Sequence, residues 1–163
     1  MIRTPLTTRF ATISLIALLV SSSTAMAAGT ATNTNAPDLT TVRAKVKAKD
    51  YPAALAELKP LLETHQHADV YNYYAFSLRK TGDLDNAALY YRKALDFDAN
   101  HLGALEYQGE LFVQLGQLDM AKANLVKLVL LCPKGCEERE DLAKAIKTAA
   151  KSGTKTTPQP GAS

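Results

Sequence analysis

Apolar residues recur at spacings of three and four along the middle of the chain, in runs such as 53–62, 87–97 and 120–131. That spacing places them on one face of a helix with about 3.6 residues per turn. No segment sustains the alternation of a half-buried strand, so the pattern predicts an all-α core. The breaks between runs predict helices over about 38–49, 51–65, 68–81, 84–97, 101–115, 118–132 and 136–150. Pro60 lies inside the second of these, where its missing N–H is expected to bend or weaken the helix.

The runs are copies of one another. Tyr74, Ala75, Leu78, Gly82, Leu84, Ala87, Tyr91 and Ala94 are followed 34 residues later by Gln108, Gly109, Phe112, Gly116, Leu118, Ala121, Leu125 and Leu128. Small residues recur at 75/109, 82/116 and 87/121, and large apolar ones at 78/112, 84/118 and 91/125. A weaker copy stands 33 residues upstream, through Lys49, Tyr51, Ala54, Leu58 and Leu61. A fixed period of this length marks stacked helix pairs. Ala75, Gly109, Ala87 and Ala121 let the two helices of a pair approach closely. Gly82 and Gly116 can take the left-handed conformation that ends one helix before the next begins. The upstream copy has Lys49 where the others have glycine.

These residues carry a resemblance. Residues 82–100 (GDLDNAALYYRKALDFDAN) resemble the second half of a tetratricopeptide repeat, and 116–133 (GQLDMAKANLVKLVLLCP) are similar and keep the terminal proline. The resemblance implies a short right-handed α-solenoid of about three helix-turn-helix repeats over 38–150. Residues 136–150, acidic at the start and basic at the end, are expected to form a polar capping helix.

It also implies a concave groove lined by the first helix of each pair. By spacing, the middle pair presents Asn72, Tyr73, Phe76, Arg79 and Lys80, and the next presents Glu106, Tyr107, Glu110 and Gln114. Tyr71 and Tyr74 fall on the packing side of their helix. Aromatic anchors flanked by polar groups suit a peptide segment of another protein. Glu106 and Glu110 would repel a terminal carboxylate, which argues against carboxylate-clamp binding. The implied function is a non-catalytic interaction scaffold with no cofactor.

The first residues change the expected location. Arg3 and Arg9 precede an apolar run at 10–20, and Ala25-Met26-Ala27 has the form read by signal peptidase. The run is shorter than the roughly 20 residues a membrane span needs. Residues 1–27 are therefore expected to be a cleaved signal peptide, directing the protein to the periplasm or beyond. Residues 28–37 and 151–163 are small, polar or Pro/Gly-rich and are expected to be flexible.

Cleavage removes two of the 19 basic residues and none of the 16 acidic ones, leaving a net charge of +1. Such a balance supplies no electrostatic footprint for nucleic acid or an anionic membrane. The expected partner is another envelope or periplasmic protein, and self-association through the exposed ends of so short an array is an alternative.

Cys132 and Cys136 are the two cysteines, bracketing a Pro-Lys-Gly turn before the last helix. In an oxidising compartment they are expected to form a disulfide holding the cap. Thiol exchange at Cys136, on a helix N-terminus near Lys134, and a role in metal handling are the alternative readings. His65 and His67 are expected to serve a helix C-terminus, and His101 to be exposed. No phosphate loop or nucleophile elbow is present, so catalysis has no motif behind it.

Overall fold

The computed structural model describes residues 36–153. The signal peptide expected over 1–27, and most of the two expected flexible segments, lie outside the described residues. Seven helices occupy the described chain: α1 (Thr40–Lys47), α2 (Tyr51–Thr64), α3 (Ala68–Thr81), α4 (Leu84–Phe97), α5 (Leu102–Gln114), α6 (Leu118–Leu131) and α7 (Glu137–Ser152). The fold is all-α, as the periodicity predicts. Successive helices form the pairs α1–α2, α3–α4 and α5–α6, and α2, α4 and α6 each pack onto the helix that opens the next unit. In addition α5 touches both α3 and α7, so the three form one row.

The turns inside the pairs share one chemistry. Gly82 has φ 95° and Gly116 has φ 74°, both left-handed. At each, the residue after the glycine donates to a carbonyl five residues back: Asp83 N–H to Leu78 O at 3.0 Å, and Gln117 N–H to Phe112 O at 2.7 Å. This closes the helix and satisfies a carbonyl that would otherwise lack a donor. The upstream pair builds the same turn without glycine. Lys49 takes φ 61° and Asp50 N–H reaches Lys45 O at 2.9 Å. A side chain in that conformation costs roughly 1–2 kcal/mol, which matches the weakness of this copy in sequence. Asp50 and Asp83 then cap α2 and α4 by accepting from the backbone N–H of Ala53 at 3.1 Å and of Asn86 at 3.2 Å.

Pro60 is exposed and lies inside α2, which runs as one helix to Thr64. One expectation about the elements changes. α7 runs on to Ser152, two residues into the segment expected to be a flexible tail.

The core is a series of small clusters handed from pair to pair. Leu39, Val42, Ala54, Leu58 and Val70 join α1, α2 and α3. Ala75, Leu78, Ala87, Tyr91 and Leu111 join α3, α4 and α5. Leu105, Ala121, Leu128, Leu142 and Ile146 join α5, α6 and α7. The last cluster corrects the role expected of Gly109. Its bare face meets α7: a Cβ there would lie 2.5 and 2.6 Å from the Cδ atoms of the fully buried Leu142. Gly109 thus admits the capping helix rather than α6 alone.

Cys132 and Cys136 fix the approach to that helix. Their sulfurs are at bonding distance, 2.08 Å, with Cα atoms 6.0 Å apart. Closing so short a loop contributes about 2 kcal/mol by limiting the unfolded chain. Gly135 turns the loop with φ 103°, and Arg139 of α7 donates to the carbonyls of Cys132 and Pro133, each at 3.2 Å.

Leu142→Ala is expected to lower stability by about 3 kcal/mol, the order found for a fully buried leucine whose cavity cannot collapse. Adding Gly109→Ala to that variant should recover part of the loss, because the new methyl enters the vacated space and Ala favours helix. Denaturant unfolding of the two variants checks both; equal stability would mean that Leu142 does not occupy the Gly109 face.

Candidate functional site

The row α3–α5–α7 distributes the nine residues expected to line a groove unequally. Asn72, Tyr73, Glu106 and Tyr107 line a cleft of about 280 Å³ between the three helices. Glu110 and Gln114 border a second depression between α5 and α7, with Lys144 and Thr148 opposite. Phe76 and Arg79 line neither of these, and Lys80 is exposed beside them.

Three of the nine are not presented to solvent as the helical spacing suggests. Asn72, Arg79 and Glu106 are buried, at 4%, 8% and 7% exposure. The reasons differ. Arg79 is a cross-brace: its Nη2 donates to Glu110 Oε2 at 2.6 Å and its Nε to the hydroxyl of the fully buried Tyr91 at 3.3 Å. One guanidinium thereby ties α3 to α4 and α5, as its planar fork allows. Asn72 is covered because residue 103 is glycine. A Cβ there would stand 3.3 Å from Asn72 Nδ2.

Glu106 is covered by α7, which the sequence suggests only as a cap. Glu137, Glu138 and Asp141 on the first turns of α7 line the same cleft. No cation pairs with Glu106 among the described residues. Loss of water around its carboxyl, reinforced by the charges of Glu110, Asp141, Glu138 and Glu137, pushes its pKa up to about 8. The neighbouring Tyr107 hydroxyl is pushed up to about 12, by burial first and then by Glu106.

The aromatic residues are half-buried and contiguous. Phe76 and Tyr107 rings lie 4.7 Å apart, and Tyr51 approaches Phe76 edge-on at 6.0 Å. Lys80 Nζ sits 5.1 Å from the Phe76 centroid, and the Arg43 guanidinium 5.9 Å from that of Tyr73. Tyr71 and Tyr74 pack into the core against Tyr90, on the side expected of them.

Two of the three histidines take other roles than those expected. His65 is the C-terminal boundary residue of α2, but His67 caps the N-terminus of α3, its Nδ1 accepting from Asp69 N–H at 3.2 Å. His101 is half-buried instead of exposed. Its Nδ1 accepts from Ala104 N–H at 3.1 Å, which leaves the proton of the neutral ring on Nε2, 2.9 Å from Asp69 Oδ1. That bond is the first cause holding Asp69 below its ordinary pKa, and it anchors the mouth of the cleft by joining α3 to α5. Among the described residues no group of three His, Cys, Asp or Glu is placed to hold a metal ion.

The missed participants are Asp69, His101 and the acidic turn of α7. The signal for the last is present: 137, 138 and 141 share one helical face, as do Glu106 and Glu110. Only the seating of Leu142 on Gly109 brings the two faces together.

With this geometry in place, comparison adds one identification. Residues 68–101, which comprise α3, α4 and the turn that follows, match the sequence model described as Tetratricopeptide repeat. No curated protein matches the chain.

Glu106 makes stability depend on pH. A carboxyl whose folded pKa lies above the unfolded value of about 4.3 favours the folded state least when ionised. Its contribution is fully present below about pH 4.3 and is lost as pH rises through about 8. Glu106→Gln should therefore match the parent near pH 4 and become progressively more stable than it towards pH 9. Melting temperatures across that range check this; a constant difference would show that the carboxyl titrates alike in both states.

Proposed function

The chain is a tetratricopeptide repeat protein, and on that premise we propose that it is a non-catalytic scaffold of the cell envelope that captures a segment of another protein in its concave groove. Repeats of this family serve protein–protein interaction. The observation that carries the reading is the half-buried aromatic surface of Tyr73, Phe76 and Tyr107, beside Asn72, whose buried Oδ1 has no hydrogen-bond partner. Aromatic area with unspent hydrogen-bonding capacity is what an extended peptide uses as an anchor and an orienting contact.

Export rests on the leader at 1–27, and the pairing of Cys132 with Cys136 agrees with an oxidising compartment. In this reading the disulfide is a staple for α7, the helix that walls the groove. The alternative, a thiol-exchange or metal-handling accessory, gains no comparable support from the arrangement around the two sulfurs.

Crosslinking and pull-down of the native protein from the envelope tests the proposal. The recovered chain should begin at Ala28 and bring down a partner. Tyr73→Ala combined with Tyr107→Ala should weaken that capture at least about tenfold, with the helical circular dichroism unchanged at the same temperature. Undiminished capture would move the interface off this groove.

A further inference from the structure

The cleft between α3, α5 and α7 differs from the rest of the groove in its charge and in what it leaves unsatisfied. Asn72 lies on its wall with only 4% of its surface exposed, and its Oδ1 is buried without a hydrogen-bond donor. An unmatched buried acceptor costs free energy in the unoccupied protein. Glu106, on the adjacent wall, is 93% buried by the same measure (7% exposed) and has no hydrogen bond or ion pair to any described residue. Two buried side chains thus face one small space: Asn72, whose buried Oδ1 lacks a donor, and Glu106, whose carboxyl pairs with no described residue.

The groups around that space share one sign. From α7 come Glu137, Glu138 and Asp141. From α3 comes Asp69, already bonded to His101. On α5, Glu110 is neutralised by Arg79. Arg43 of α1 stands 5.9 Å from the Tyr73 ring centroid, and its charge is the last of the causes that hold Asp69 below its ordinary pKa. Tyr73 and Tyr107 line the same cleft, and aromatic rings of this kind attract a nearby cation. At about 280 Å³ the cleft lies just below the roughly 300–1,000 Å³ of small-molecule sites. It suits one long side chain rather than a whole ligand.

Resting on the scaffold reading above, we infer that the cleft is a specificity pocket for a basic side chain, lysine or arginine, of an extended peptide whose neighbouring residues lie along Tyr73, Phe76 and Tyr107. The cation donates to Asn72 Oδ1 and to the Glu106 carboxylate, and the acidic turn of α7 draws it in. Recognition is by charge as well as shape, so an acidic or neutral residue at the same position of the peptide is disfavoured. The raised pKa of Glu106 is the counterpart: a proton occupies the carboxyl until a fixed cation displaces it to solvent.

Selection from a randomised heptapeptide display library on the mature full chain tests this. Enriched sequences should carry arginine or lysine at one fixed position next to an aromatic or apolar residue. In synthetic copies, replacing that arginine by citrulline, or that lysine by its Nε-acetyl form, should weaken binding about tenfold, the order for a lost charge-assisted hydrogen bond. Against Glu106→Gln the same replacement should matter less than about threefold, because the charge partner is gone. Asp141→Asn, on the exposed wall, supplies a variant that leaves the buried groups intact and should reduce the preference in part.

Peptides that bind in a Tyr73- and Tyr107-dependent way but show no basic preference, or tolerate citrulline, would overturn this inference and leave the scaffold reading standing. If no enriched peptide depends on Tyr73 and Tyr107, both fall.

Discussion

Leu142 rests on the bare backbone of Gly109, where a single Cβ would come within 2.6 Å of both its methyl carbons. That contact seats α7 on α5, and the disulfide-closed turn at Cys132 and Cys136 delivers α7 at the right place to make it. Without it the array would end at α6 with an apolar face uncovered. With it, Leu105, Leu128, Leu142 and Ile146 close a further core cluster, and α7 presents a charged outer face. Terminal units of stacked repeats need such a face.

The same contact creates the site. α7 is a cap on one side and the third wall of a cleft on the other. Its opening acids favour the positive end of its own helix dipole, which explains their placement without reference to function. Yet they also stand near Glu106, whose carboxyl has lost water on burial, and add like charge to it. Arg79 could have neutralised this field, but its guanidinium is committed to Glu110 and Tyr91. The strongest nearby cation is therefore spent on joining three helices, and the cleft keeps its negative character.

The contrast between what the sequence reveals and what it hides follows the range of the interactions. The turns at Gly82 and Gly116, the caps at Asp50 and Asp83 and the helix limits depend on residues a few positions apart, and each is readable from spacing. Lys49 is the instructive local case: its backbone adopts the glycine conformation because the surrounding repeat imposes it, against its own preference. Burial of Asn72, Arg79 and Glu106 is different. On a helical wheel they share the face of Tyr73 and Tyr107. Only contacts with Gly103, Tyr91 and α7 take them out of solvent. Gly109 likewise reads as a spacer within its own pair, because the periodicity cannot show that its true neighbour lies in the helix after the repeats end. His101 reads as exposed for the same reason: its partner Asp69 is 32 residues away.

Among the described residues, α7 leaves a buried carboxyl on α5 without a cation to match it. Site-resolved carbon-13 NMR of the Glu106 side chain, followed through pH in the mature protein, measures this directly. A midpoint near 8 is the expected result. A midpoint near the ordinary glutamate value of about 4.3 would contradict it, and would mean that the cleft is open to water or already holds a compensating positive charge.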